Sequence, residues 1–187
     1  MKKALLTILP LTLVLSFPGT GALPAEEPSS IFEQPFLLTS AGQNADVQMA
    51  AVLAKRAGLG YTLSKLAAPK DLENMKTLAL VIGASLKGLG AAGLDVDKEK
   101  ARISALITAA QKANIAILCL HLGGEARRGA QTDELISDIL PLARMAIVVK
   151  SGNADGIFTK ICQAKNIPLI EVEKTADALT PLKTAFK

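Results

Sequence analysis

The sequence predicts an α/β fold: a single domain with a doubly wound parallel sheet of about six strands, flavodoxin-like or Rossmann-like. Three observations carry this. Short apolar runs alternate with amphipathic segments over about 160 residues, which is the βαβ pattern. Two of those runs, Leu78–Ile82 and Ala116–Leu120, are unalternated, as in strands covered by helices on both faces. The segments after the strands are small, polar and glycine-bearing, whereas the opposite ends carry plain connectors such as Lys112-Ala113-Asn114.

In chain order, the domain begins near Phe32, and Phe36–Thr39 is the first strand. A helix from about Ala45 to Ala57 follows, then a short strand at Tyr61–Leu63 and at most one small helix around Asp71–Asn74. Strand Leu78–Ile82 leads through a long glycine-bearing segment to a helix whose apolar residues recur at helical spacing across Ala101–Ile107, with Asp95 or Asp97 available as cap. Strand Ala116–Leu120, helix Thr132–Ala143, strand Ala146–Val149, helix Asp155–Lys165, strand Leu169–Val172 and a last helix Ala176–Phe186 complete the chain. Right-handed crossovers give strand order 2-1-3-4-5 with the sixth at the edge.

Half of the 187 residues are apolar but only 3% are aromatic, so the core is aliphatic. This composition excludes disorder, collagen-like repeats and disulfide scaffolds. Nucleic-acid binding is excluded too, because stacking platforms need exposed aromatics and a duplex footprint needs a stripe of Lys and Arg. Half of the net charge of +4 lies at the start. Lys2 and Lys3, an apolar stretch from Ala4 to Phe17 and the small-residue segment Pro18–Ala25 read as a secretory signal peptide, residues 1–25, cleaved after Ala25 or after Ala22. The apolar stretch is shorter than the roughly 20 residues of a membrane span, so no stable membrane anchor is expected. Of 21 basic residues these two would be removed, leaving 19 against 17 acidic. Residues 26–31 form a flexible lead-in, and 32–187 the domain. Cys119 and Cys162, both in apolar settings, are expected unpaired despite export.

Ligands of such sheets bind beyond the carboxyl ends of the strands, where strand order reverses. The four segments there are Thr39–Asn44, Gly83–Gly93, His121–Gly129 and Lys150–Asn153. Their small residues admit a ligand to the backbone, and Lys87, Arg127, Arg128 and Lys150 supply positive charge against Glu125. The expected site takes a small anion, a carboxylate or phosphate, on Ser40, Gly42, Gln43, Ser85, Lys87, Gly88, Gly124, Arg127, Arg128, Ser151 and Asn153. The alternative without a ligand is that Glu125 pairs with an Arg and the remaining charges are solvated.

Sharper motifs fall away. Gly88-Leu89-Gly90-Ala91-Ala92-Gly93 matches the dinucleotide fingerprint, but it starts five residues beyond its strand and lacks the later acid that would hold ribose. Gly83–Gly88 has phosphate-loop spacing with Leu89 and Gly90 where Lys and Ser or Thr are needed. Thr39–Ala45 resembles the first phosphate loop of flavodoxin-like proteins, yet too few aromatics are present to sandwich a flavin. The sequence therefore identifies no cofactor.

His121, the only histidine, stands at a strand end four residues before Glu125. As a catalytic pair they would serve a hydrolase or transferase, with Ser40, Ser85 or Ser151 as nucleophile, although no Gly-x-Ser-x-Gly elbow occurs. A hydrogen bond from a rim histidine to backbone or to Glu125 is the plainer reading. One His and one Glu fall short of a metal set.

The blocks Leu38–Gln43, Lys87–Gly93, Gly123–Gly129 and Gly156–Ile161 together resemble an uncharacterised family of exported bacterial proteins, a domain of unknown function, over about Gln34 to Phe186. The resemblance implies the same compartment and single-domain organisation, and no activity. A partner-binding subunit without a small ligand is the third expectation; oligomeric state is not legible.

Overall fold

The structure, a computed structural model, describes residues 30–187, so the expected signal peptide lies outside the described residues. Six parallel strands, β1 (Phe36–Ala41), β2 (Tyr61–Leu63), β3 (Thr77–Ile82), β4 (Ala116–His121), β5 (Met145–Val149) and β6 (Leu169–Val172), form one sheet in the order β2-β1-β3-β4-β5-β6. This is the predicted doubly wound α/β architecture with its switch point between β1 and β3. The helices are α1 (Asp46–Arg56), α2 (Leu86–Ala91), α3 (Val96–Lys112), α4 (Ala130–Ile139), α5 (Ile157–Lys165) and α6 (Leu179–Thr184).

The central strands are unalternated because both faces are covered: every residue of β1, β3 and β5 is buried. On one face Leu37, Leu78, Leu80, Ile82 and Ile117 pack against Ile103, Leu106 and Ile107 of α3, Leu135 and Ile139 of α4, and Phe158 of α5. On the other, Leu38, Val81, Leu118 and Leu120 meet Val47, Ala50 and Ala54 of α1 and Leu182 of α6. The two ends of the described region close the second core, where the rings of Phe36 and Phe186 lie 4.7 Å apart and Phe32 bridges Phe186. Cys119 and Cys162 are buried and unpaired, and burial pushes the Cys162 thiol up to about 11.

Local structure departs from expectation in a few places. The glycine-rich segment after β3 contains α2, because Ser85 caps it by accepting the Gly88 N–H, Leu89 anchors it in the core, and Gly93 at φ 68° closes it. Helix α4 stops at Ile139, since Pro141 lacks an N–H and turns the chain into a 3₁₀ turn at Leu140–Leu142. Short 3₁₀ turns also follow β4 (Gly124–Arg127) and β5 (Lys150–Asn153), and a 3₁₀ turn at Thr175–Ala178 precedes α6. Among the described residues no helix is long and apolar enough to cross a membrane.

Candidate functional site

The four loops meet at one edge. Gln43 bridges Ala84, joining the loops after β1 and β3. Arg128 donates to the Gly152 carbonyl, and the Ser151 hydroxyl accepts from the Glu125 N–H at 3.4 Å, joining the loops after β4 and β5. Arg127 lies between the pairs, with its Cβ beside Gly83 and its Nε donating to Asp46 at 3.0 Å.

The loop after β1 is one of the four that were expected to hold an external anion, and the protein sets an anion of its own against it. The Glu99 carboxylate, 2% exposed, accepts from the Gly42 N–H at 2.8 Å and from Gln43 Nε2 at 3.1 Å. Arg102, one turn along α3, grips that carboxylate through Nε and Nη2 at 2.8 Å each and also donates to the Ser40 and Ala67 carbonyls. Ser40 is fully buried, its hydroxyl accepting the Asn44 N–H, while the Asn44 amide donates to the Val81 and Gly83 carbonyls. Ser40, Gly42 and Gln43 are therefore joined into the fold.

His121 is likewise enclosed. It is fully buried, with Nδ1 3.0 Å from the Ile82 carbonyl, Nε2 3.1 Å from the Gly124 carbonyl and its ring 5.2 Å from that of Phe158. Glu125 is exposed and makes no side-chain hydrogen bond with His121. A Cβ on Gly152 would stand 2.5 Å from His121 Cδ2, so glycine there makes room for the ring. Desolvation lowers the His121 pKa below its ordinary 6.5; the Ile82 and Gly124 carbonyls oppose that less strongly, Arg128 adds to it and Asp46 resists it. Because the folded value is depressed, the unfolded chain takes up a proton first as the solution acidifies. The histidine's contribution is fully present above pH 6.5 and is lost as pH falls through the lower folded value. Replacing His121 with glutamine is expected to flatten the loss of stability below pH 6.5, measured by urea unfolding from pH 7.5 to 5. Equal pH slopes in the two proteins would contradict this.

Arg128, 13% exposed at its side chain, is held on every nitrogen: it pairs with Asp133 at 2.7 Å and Asp155 at 2.8 Å and donates to the Gly152 carbonyl. Hydrogen bonding from Arg128 holds the Asp155 carboxyl well below the usual range. Asn153 ties its own turn to α5 and β6 through the Phe158 N–H, Thr159 and Glu171. Gly88 approaches the Gln43 carbonyl too closely for any side chain, and Gly124, at φ 58°, faces Ser151. Lys87 is exposed and Lys150 pairs with Glu173. The arginine partners are thus Asp46, Asp133 and Asp155 rather than Glu125.

Arg127 differs from these. Its side chain is 34% exposed, Nε is held by Asp46, and the two terminal amino groups have no partner among the described residues. An open depression of about 350 Å³ at this edge is bordered by Ala84, Arg128, Gly129, Gln131 and Thr132, and Arg127 does not line it. Among the described residues no group of three His, Cys, Asp or Glu could hold a metal.

Sequence reasoning missed Glu99, Arg102, Asn44 and Asp46. Glu99 was visible as an acid within the apolar stripe Glu99, Ile103, Leu106, Ala110 of α3, a position that requires a buried partner. Arg102 at i+3 supplies one.

No curated protein matches this chain. Among solved structures, a G-D-S-L family protein from Desulfitobacterium hafniense DCB-2 is 12% identical over 73% of this chain and 75% of its own, with a TM-score of 0.33. A GDSL-like lipase from Bacteroides thetaiotaomicron VPI-5482 is 11% identical over 73% of this chain and 66% of its own, with a TM-score of 0.34. Likeness of that degree carries no argument about chemistry. Residues 33–186, nearly all of the described domain, match one family throughout, and the chain belongs to it: DUF6305, a domain of unknown function.

Proposed function

We propose that this domain is an exported binding module that takes a small anion at Arg127, on the carboxyl edge of its sheet. The observation that supports this reading is the guanidinium at the switch point, one-third exposed, anchored through Nε and without a partner among the described residues at both terminal amino groups. Arginine presents those groups as a planar fork suited to a carboxylate or phosphate. The hydrolase reading draws less support, because a general base needs a free ring nitrogen and both nitrogens of His121 face carbonyl oxygens.

The test is a thermal-shift series on the mature domain with acetate, benzoate and inorganic phosphate. An anion at 100 times its dissociation constant stabilises by about 2.7 kcal/mol. For a domain of this size that raises Tm by roughly 5–10 °C. Arg127→Ala is expected to abolish the shift, while Lys150→Ala leaves it. No shift with any of the three anions, or an unchanged shift in Arg127→Ala, would remove the reading.

A further inference from the structure

We propose that Asp46 is a specificity-determining residue of this site and biases Arg127 toward a monovalent carboxylate over a dianion. The inference rests on the reading of Arg127 as the ligand-binding cation. A guanidinium offers oxygen ligands two bidentate edges, a side edge that includes Nε and an end edge made of the two terminal amino groups. Asp46 Oδ2, 3.0 Å from Nε, occupies the first and leaves the second. The end edge fits the two oxygens of a single planar carboxylate.

The same aspartate sets the charge that the ligand meets. Its side chain is 15% exposed, so its field is only partly screened by water. Arg127 attracts a doubly charged ligand about twice as strongly as a singly charged one and Asp46 repels it about twice as strongly, so the aspartate takes more from the dianion and leaves the fit of the planar carboxylate to decide.

The pair is built into the backbone. Gly123 has φ −87°, which any residue adopts, so conformation does not call for glycine there. Space does: a Cβ at 123 would collide with Arg127 Cγ and Asp46 Oδ2. Asp46 is fixed in turn, because its N–H donates to Asn44 Oδ1 at 2.9 Å and Asn44 is bonded to the ends of β1 and β3.

The experiment titrates ¹⁵N-labelled protein with acetate and with inorganic phosphate, at a pH where phosphate is dianionic, and follows the Arg127 Nε–H resonance. Acetate is expected to bind more tightly than phosphate. Asp46→Asn keeps an acceptor for Nε and removes the charge, so it is expected to bring the two affinities together. A wild-type protein that binds phosphate as well as acetate, or an Asp46→Asn protein with the wild-type ratio, overturns the role of Asp46. Either outcome leaves the Arg127 site standing if Arg127→Ala abolishes binding. Absence of binding by both anions in the wild-type protein overturns the site and this inference together.

Discussion

Replacing Glu99 with alanine is expected to cost about 3–5 kcal/mol of stability, as breaking a buried ion pair does. The carboxylate is 2% exposed and serves two elements at once. It neutralises Arg102, whose side chain is 12% exposed, and it accepts the Gly42 N–H and the Gln43 amide. Alanine leaves a buried guanidinium without its counter-charge and a buried peptide N–H without an acceptor, and each omission carries its own desolvation penalty. In urea unfolding this should appear as an earlier midpoint at unchanged slope, with Tm lowered by roughly 10 °C. Glu99→Gln retains an oxygen for Gly42 and loses only the charge on Arg102, so it should fall between the two. An alanine variant within about 1 kcal/mol of the wild type would mean that the pair is replaceable by water.

The fold was legible because burial on both faces writes itself into composition. Leu78–Ile82 and Ala116–Leu120 read as covered parallel strands, and the helical spacing of Ile103, Leu106 and Ile107 placed α3 between them. The loops at the carboxyl edge were legible as a group for a related reason: glycine and small polar residues mark where backbone approaches backbone. What those loops contact was not legible. Glu99 reaches Gly42 across 57 positions, and Arg127 reaches Asp46 across 81. No local pattern joins such partners, since the crossover connections alone bring them together. For the same reason a cluster of small and basic residues looks identical in sequence whether it awaits a ligand or is satisfied internally. Ser85, Asn153 and Arg128 proved to have internal partners, whereas the end of Arg127 and the exposed Lys87 are left without one among the described residues.

Gly42 and Gly90 put the distinction between conformation and contact to a direct test, because the same substitution is expected to have opposite signs at the two. Gly42 has φ +103°, and a Cβ there would stand 2.5 Å from the Gly83 oxygen and 2.8 Å from the Ala84 Cα. Both obstacles are backbone and cannot rotate aside. Strain at such a φ costs about 1–3 kcal/mol. Overpacking adds about 1–3 kcal/mol more, so Gly42→Ala should destabilise by about 2–6 kcal/mol. Gly90 lies within α2, and a methyl group added there would meet nothing within 4 Å. Alanine at this position removes backbone freedom from the unfolded chain and should stabilise by about 0.5–1 kcal/mol. Displacement of Gly42 also pulls its N–H from Glu99, so Gly42→Ala combined with Glu99→Ala should lose less than the sum of the single losses. Full additivity in the double variant would mean that the loop after β1 and the Glu99 carboxylate are not one unit.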